Sequence, residues 1–200
     1  MTIYRQFWVT YRKRLLVYSL LCVALATGNA LFWLHKWHKQ GVELCFADTM
    51  MTGVQPSFLL MLLIPPTLGL VHQLKFILEQ PFVICALDNR SRLARNLLAA
   101  LLFIAFRAVM AVSIPSIALG ALLFRGSKPC TWESGASYYA YMTGQTLITP
   151  VKTGSLIVWQ AMTIWLTVLL VSILFLSINL SCESHQLGSI LSWGVCLLAL

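Results

Sequence analysis

Long apolar runs separated by short polar stretches make up almost the whole chain. The run Leu156 to Leu180 contains no Asp, Glu, Lys or Arg. A helix of roughly 20 apolar residues crosses the hydrocarbon core of a bilayer, so this run alone is long enough to span. The pattern recurs at 15–34, 57–74 and 97–124, and together these runs predict four full transmembrane helices (15–34, 57–74, 97–124 and 156–180). A fifth run, 187–200, reaches only about 21 Å as a helix, less than the roughly 30 Å core. It is expected either to be a partial span or to continue in a longer natural chain, the second reading being favoured. The predicted fold is all-α, a polytopic transmembrane helix bundle forming a single domain over 1–200.

The polar positions add detail. In 2–13, Ile3, Phe7, Trp8 and Tyr11 share one helical face, with Arg5, Arg12 and Lys13 able to reach headgroups. This predicts an N-terminal interfacial amphipathic helix. The first span ends in Phe32, Trp33, His35, Trp37 and His38, a border typical of the membrane–water interface. Pro65-Pro66 interrupts the second span and predicts a kink. Backbone carbonyls freed by proline must be satisfied by protein or water, so this helix is expected inside the bundle or along a pathway. Between the second and third spans, 79–89 reads as a short helix. Pro81 takes its first turn, Phe82 to Leu87 form an apolar stretch, and Asp88-Asn89 a turn. Arg90, Arg92 and Arg95 then lead into the third span, which carries Arg107 about 18 Å further on. An arginine at this depth is costly. It is read either as a gating or substrate contact or as a residue snorkelling from the first turns of the helix.

Composition agrees. The chain is 59% hydrophobic and 10% charged, against about 25% charged in a soluble domain. Mean hydropathy is +0.81. The apolar stretch after Arg12-Lys13-Arg14 exceeds the roughly 7–15 residues of a signal-peptide core, so it is read as retained. The net charge of +8 comes from basic residues flanking apolar runs. That is a topology and lipid-headgroup pattern, and no nucleic-acid partner is expected. Arg5, Arg12, Lys13, Arg14, Lys75, Arg90, Arg92 and Arg95 fall on one predicted side, against Lys36, Lys39, Arg125, Lys128 and Lys152 on the other. This places the N-terminus in the cytoplasm, in a cell inner or plasma membrane. Cys45 and Cys130 are then the only cysteines in the outer connections, where an oxidising environment allows a disulfide.

Little in the chain points to chemistry of its own. It lacks the Gly-x-x-x-x-Gly-Lys-Ser/Thr loop, a His-Glu-x-x-His pair and a Gly-x-Ser-x-Gly elbow, and it holds only six acidic residues. No catalytic residue, cofactor or metal is assigned, and the chain is not expected to be an enzyme. His35 and His38 near Cys45 and Asp48, and Cys182 with His185, have ligand types without closed-site spacing. Tyr138, Tyr139 and Tyr141 are read as an aromatic belt or outer helix rather than a ligand site.

The order of features carries a resemblance. It lies in Phe7-Trp8 to Arg14, Pro65-Pro66, Glu79 to Asp88 and Arg90-Ser-Arg92, over residues 1 to about 180. In this order the chain resembles the membrane subunit of type-2 ABC exporters, especially the small permeases of bacterial drug, bacteriocin-immunity or antimicrobial-peptide export. The resemblance implies that 79–89 is a coupling helix. Glu79, Pro81, Phe82, Asp88, Arg90 and Arg92 would then meet a separate P-loop ATPase subunit. It also implies a homodimer or paired permease, with Pro65, Pro66 and Arg107 lining the route. The alternative is a non-transport accessory, assembly or immunity protein that binds partners through its helices.

Overall fold

The structure, a computed structural model, describes residues 3–78, 90–124, 132, 134–145 and 152–181. Among these residues the chain forms six α-helices: α1 (Ile3–Lys39), α2 (Phe46–Thr52), α3 (Ile64–Leu78), α4 (Arg90–Leu123), α5 (Tyr138–Thr143) and α6 (Thr153–Ser181). A π-helix, Phe58–Leu63, runs directly into α3.

Three of these helices are long and apolar enough to cross a membrane, over Arg12–Lys39, Ala94–Leu123 and Thr153–Asn179. The chain is therefore a polytopic helical membrane protein, but four full spans with a partial fifth is not what it forms. The second expected span is a shorter apolar helix, Phe58–Leu74. At 1.5 Å per residue it covers roughly 25 Å, less than the core thickness of about 30 Å. The expected partial span at 187–200 lies outside the described residues.

Pro65 and Pro66 explain the altered geometry. Neither has an N–H to donate to the preceding turn, and each ring needs room there. The turn before them is widened: the Ile64 N–H reaches back to the Leu59 carbonyl, the longer spacing of a π-helix. The expected kink thus takes the form of a π-helical stretch.

The separate interfacial helix is also corrected. Residues from Ile3 to Lys39 form one unbroken helix. No Gly or Pro stands between Tyr11 and Leu15, and Arg, Lys and Leu are strong helix formers, so nothing there turns the chain.

The bundle packs along a stripe of α4. Ala100, Ile104, Ala108 and Val112 recur every four residues and are fully buried, the spacing of one helical face. They meet Cys22 and Ala26 of α1, Leu68, Val71 and Leu74 of α3, and Ile164 and Val168 of α6 in one core. Small residues on α4 let the backbones of α1 and α6 approach closely. Phe106, Met110 and Ile114, off that stripe, are exposed, as a lipid-facing surface would be. Inside the core the Tyr18 hydroxyl bonds Thr67 Oγ1 at 2.9 Å, tying α1 to α3.

Helices α1 and α4 run in the same direction. Ser19 lies across from Arg107, and beyond their far ends Phe124 shares a cavity with His38 and Val42. The starts of both helices, with Arg12, Lys13, Arg14 and Arg95, therefore share one end of the bundle. The other end carries α2, α5 and a second, smaller core of Leu34, Trp37, Val42, Ala47, Trp132 and Tyr138.

Candidate functional site

A groove between α1 and α4 lies in the membrane zone and is roomy enough to hold a ligand. Its volume is about 500 Å³. Ser19, Val23 and Thr27 of α1 form one wall, and residues of α4 from Arg107 to Leu122 form the other. Each wall follows helical spacing, because positions three and four apart share a face. Val23, Met110, Ile114 and Leu122 on these walls are exposed, so the groove opens sideways.

Arg107 is half-buried at the groove's end nearer the basic starts of the helices. Its neighbours Ala105 and Ala108 face the core with no exposed surface, whereas Arg107 stands on the flank. Its guanidinium lies over the Phe103 ring, 5.2 Å from the centroid, a cation–π arrangement that helps hold a charge in apolar surroundings. Further along, Pro115 sits inside α4 and on the groove wall. It has no N–H for the Ala111 carbonyl one turn back.

The other sequence-derived site residues are placed elsewhere. Pro65 and Pro66 are half-buried at the start of α3 and do not line this groove. The structure therefore does not gather Pro65, Pro66 and Arg107 into one cavity. Arg90 and Arg92 lie in the first turn of α4. Glu79, Pro81, Phe82 and Asp88 lie outside the described residues, as does Cys130. Cys45 is disulfide-bonded.

The opposite end is closed by a cap that the sequence does not announce. Helix α2 is wedged among α1, α4 and α6, with Ala47, Asp48, Thr49, Met50 and Thr52 all buried. Gly120 of α4 makes room for it. A Cβ on Gly120 would stand 2.7 Å from the Phe46 ring and 2.8 Å from Thr49 Oγ1. At Gly53 a Cβ would collide with the Gln160 amide of α6. Two side-chain amides and a serine complete the seating: Asn29 Nδ2 donates to the Thr52 carbonyl at 2.9 Å, and Gln160 Nε2 to Ser116 Oγ at 3.4 Å.

Asp48 is the centre of the cap. Its Oδ2 accepts from the Cys45 N–H at 2.7 Å, so the third helical residue satisfies the N-cap donor. Its Oδ1 accepts from the Trp132 indole at 3.0 Å. Burial pushes the Asp48 carboxyl up to about 6, against the downward pull of these two donors. Around it the Glu43 N–H donates to the Ala136 carbonyl at 2.8 Å. Ser137 caps α5 by accepting from the Ala140 N–H. Trp132 stacks on Tyr139, and Trp37 lies against Tyr138 with ring centroids 4.4 Å apart. Tyr138 and Tyr139 thus serve as packing between the two connections, as the aromatic reading expected. Among the described residues no three His, Cys, Asp or Glu converge as a metal site would need.

The Asp48–Trp132 pair was missed because 84 residues separate its members and no periodicity links them. A signal existed: Cys45 lies three residues before Asp48 and Cys130 two before Trp132. The cysteine pairing the sequence allows would bring the same two segments together. Asn29, Ser116 and Gln160 were legible only as polar residues inside apolar runs.

No family model, no curated protein and no solved structure matches this chain.

Proposed function

We propose that this chain is a permease subunit of an ATP-driven exporter, working with a second permease copy and powered by a separate P-loop ATPase. The observation that carries the proposal is Arg107 on the wall of the α1–α4 groove. An arginine within a span is costly, and such residues commonly face a bundle interior or a water-filled path. The groove opens sideways, so a second copy facing it would turn an open wall into an enclosed route. Energy then has to come from elsewhere, because the chain has no phosphate-binding loop of its own. In this proposal 79–89, with Arg90 and Arg92, forms the docking surface for the ATPase on the cytoplasmic side, where the N-terminus also lies.

Purification of the full chain from its native membrane in mild detergent, with mass spectrometry of whatever accompanies it, tests the proposal. The expected result is a stoichiometric P-loop ATPase that is lost when Glu79 and Asp88 are changed to Ala, while the protein still inserts. A folded, inserted chain with no ATPase partner would overturn it and favour an accessory or assembly role.

A further inference from the structure

We infer that the α1–α4 groove binds an anionic phospholipid, with the phosphate at Arg107, a headgroup hydroxyl at Ser19 and an acyl chain along α4. The inference starts from charge. Neither α1 nor α4 contains a single Asp or Glu, so the two helices that build the groove supply a guanidinium and no carboxylate. Arginine's planar fork is suited to two parallel hydrogen bonds with a phosphate. The Ser19 side chain on the opposite wall is half-buried and donates to the Leu15 carbonyl one turn back, leaving the oxygen's lone pairs for a donor such as a lipid hydroxyl.

Depth comes next. Ser19 lies five residues beyond Arg14, about 7.5 Å along the helix. Arg12, Lys13 and Arg14 are exposed and mark the bundle's basic border. Arg107 lines the same groove as Ser19, and long arginine side chains bend towards the headgroup region. A phosphate drawn to this border therefore meets Arg107 without leaving its leaflet.

Length agrees with a lipid rather than a free anion. From Arg107 to Leu122 the wall runs about 22 Å, longer than the roughly 15 Å of hydrocarbon in one leaflet. Met110, Ile114 and Leu122 on this wall present exposed apolar surface, which a small inorganic anion would leave unused. The lateral opening gives a lipid direct entry from the bilayer.

The inference deepens the exporter proposal by naming the class of molecule the route would accept. It rests on that proposal for transport, but not for binding.

Native mass spectrometry of the full chain in a neutral detergent tests it, with phosphatidylglycerol offered against phosphatidylcholine of the same acyl chains. The expected result is one retained lipid with about a tenfold preference for phosphatidylglycerol, because the choline cation of phosphatidylcholine offsets its phosphate beside Arg107 and glycerol does not. Arg107→Gln should remove the preference. Lys39→Gln, which removes the same charge at the far end of α1, should keep it. If Arg107→Gln fails to fold, Arg107→Lys should retain phosphatidylglycerol, and Ala118→Trp, which fills the groove, should release both lipids. Equal retention of the two lipids, or an equal loss of preference in Lys39→Gln, would overturn the lipid site. Either result would leave the ATPase co-purification to decide the exporter proposal separately.

Discussion

Asp48 shows how much one buried carboxylate can control at the residue scale. Its two oxygens accept from two segments, the start of α2 and the Trp132 indole. Desolvation holds its folded-state value at about 6, above the ordinary 3.8. The folded cap therefore keeps the Asp48 proton at pH values where the unfolded chain has released it. Stability from this group is fully present below about pH 4 and is lost as pH rises through about 6. The loss is on the order of 3 kcal/mol. Thermal unfolding of the purified chain should show a midpoint that falls from pH 4.5 to pH 7 on this account. In Asp48→Asn that part of the slope should vanish, because the amide does not titrate. An unchanged slope in the variant would show that other groups set it. In the sequence Asp48 was only a weak metal candidate; its actual partners are an amide three residues back and an indole contributed by a distant segment.

At the scale of elements, helix length and backbone clearance decide what the apolar pattern becomes. The three long helices follow directly from uninterrupted apolar runs, and their positions were legible to within a few residues. Pro65 and Pro66 were legible as an interruption, but the π-helical solution was not, because it depends on which carbonyl the Ile64 N–H reaches. The close seating of α2 was equally hidden. Gly120 is one glycine among several in the sequence, yet among the described residues it alone faces Phe46 and Thr49 across a gap too small for a Cβ. Gly120→Leu should destabilise the chain by about 1–3 kcal/mol through overpacking. Gly69→Ala, in α3 with nothing within 4 Å, should be neutral or stabilising by up to about 1 kcal/mol. Paired thermal unfolding curves check both, and equal effects would show that the α2–α4 clearance is not what matters.

Over the whole molecule, two connections far apart in sequence close one end of the bundle. We propose that the disulfide partner of Cys45 is Cys130, since Trp132 is bonded to Asp48 and Ala136 to Glu43. Peptide mapping under non-reducing conditions should recover the two cysteines in one linked species. Reduction, or Cys45→Ser, should lower stability by about 2–4 kcal/mol, the usual scale for a disulfide. Recovery of Cys45 linked to a different cysteine would refute the pairing.

The sequence by itself determined that this is a helical membrane protein, because apolar runs of bilayer length have no other way to satisfy their backbone. It also gave the basic flanks, the cysteines of the two expected outer connections and an arginine within a span. All of these are local properties, set by residue type and spacing along one helix. Tertiary structure decided the rest. The number of helices long enough to span, the unbroken α1, the burial of Asp48 and the groove beside Arg107 each depend on which helix lies against which. That choice is made by side-chain packing between segments far apart in the chain, and no period within a single segment encodes it.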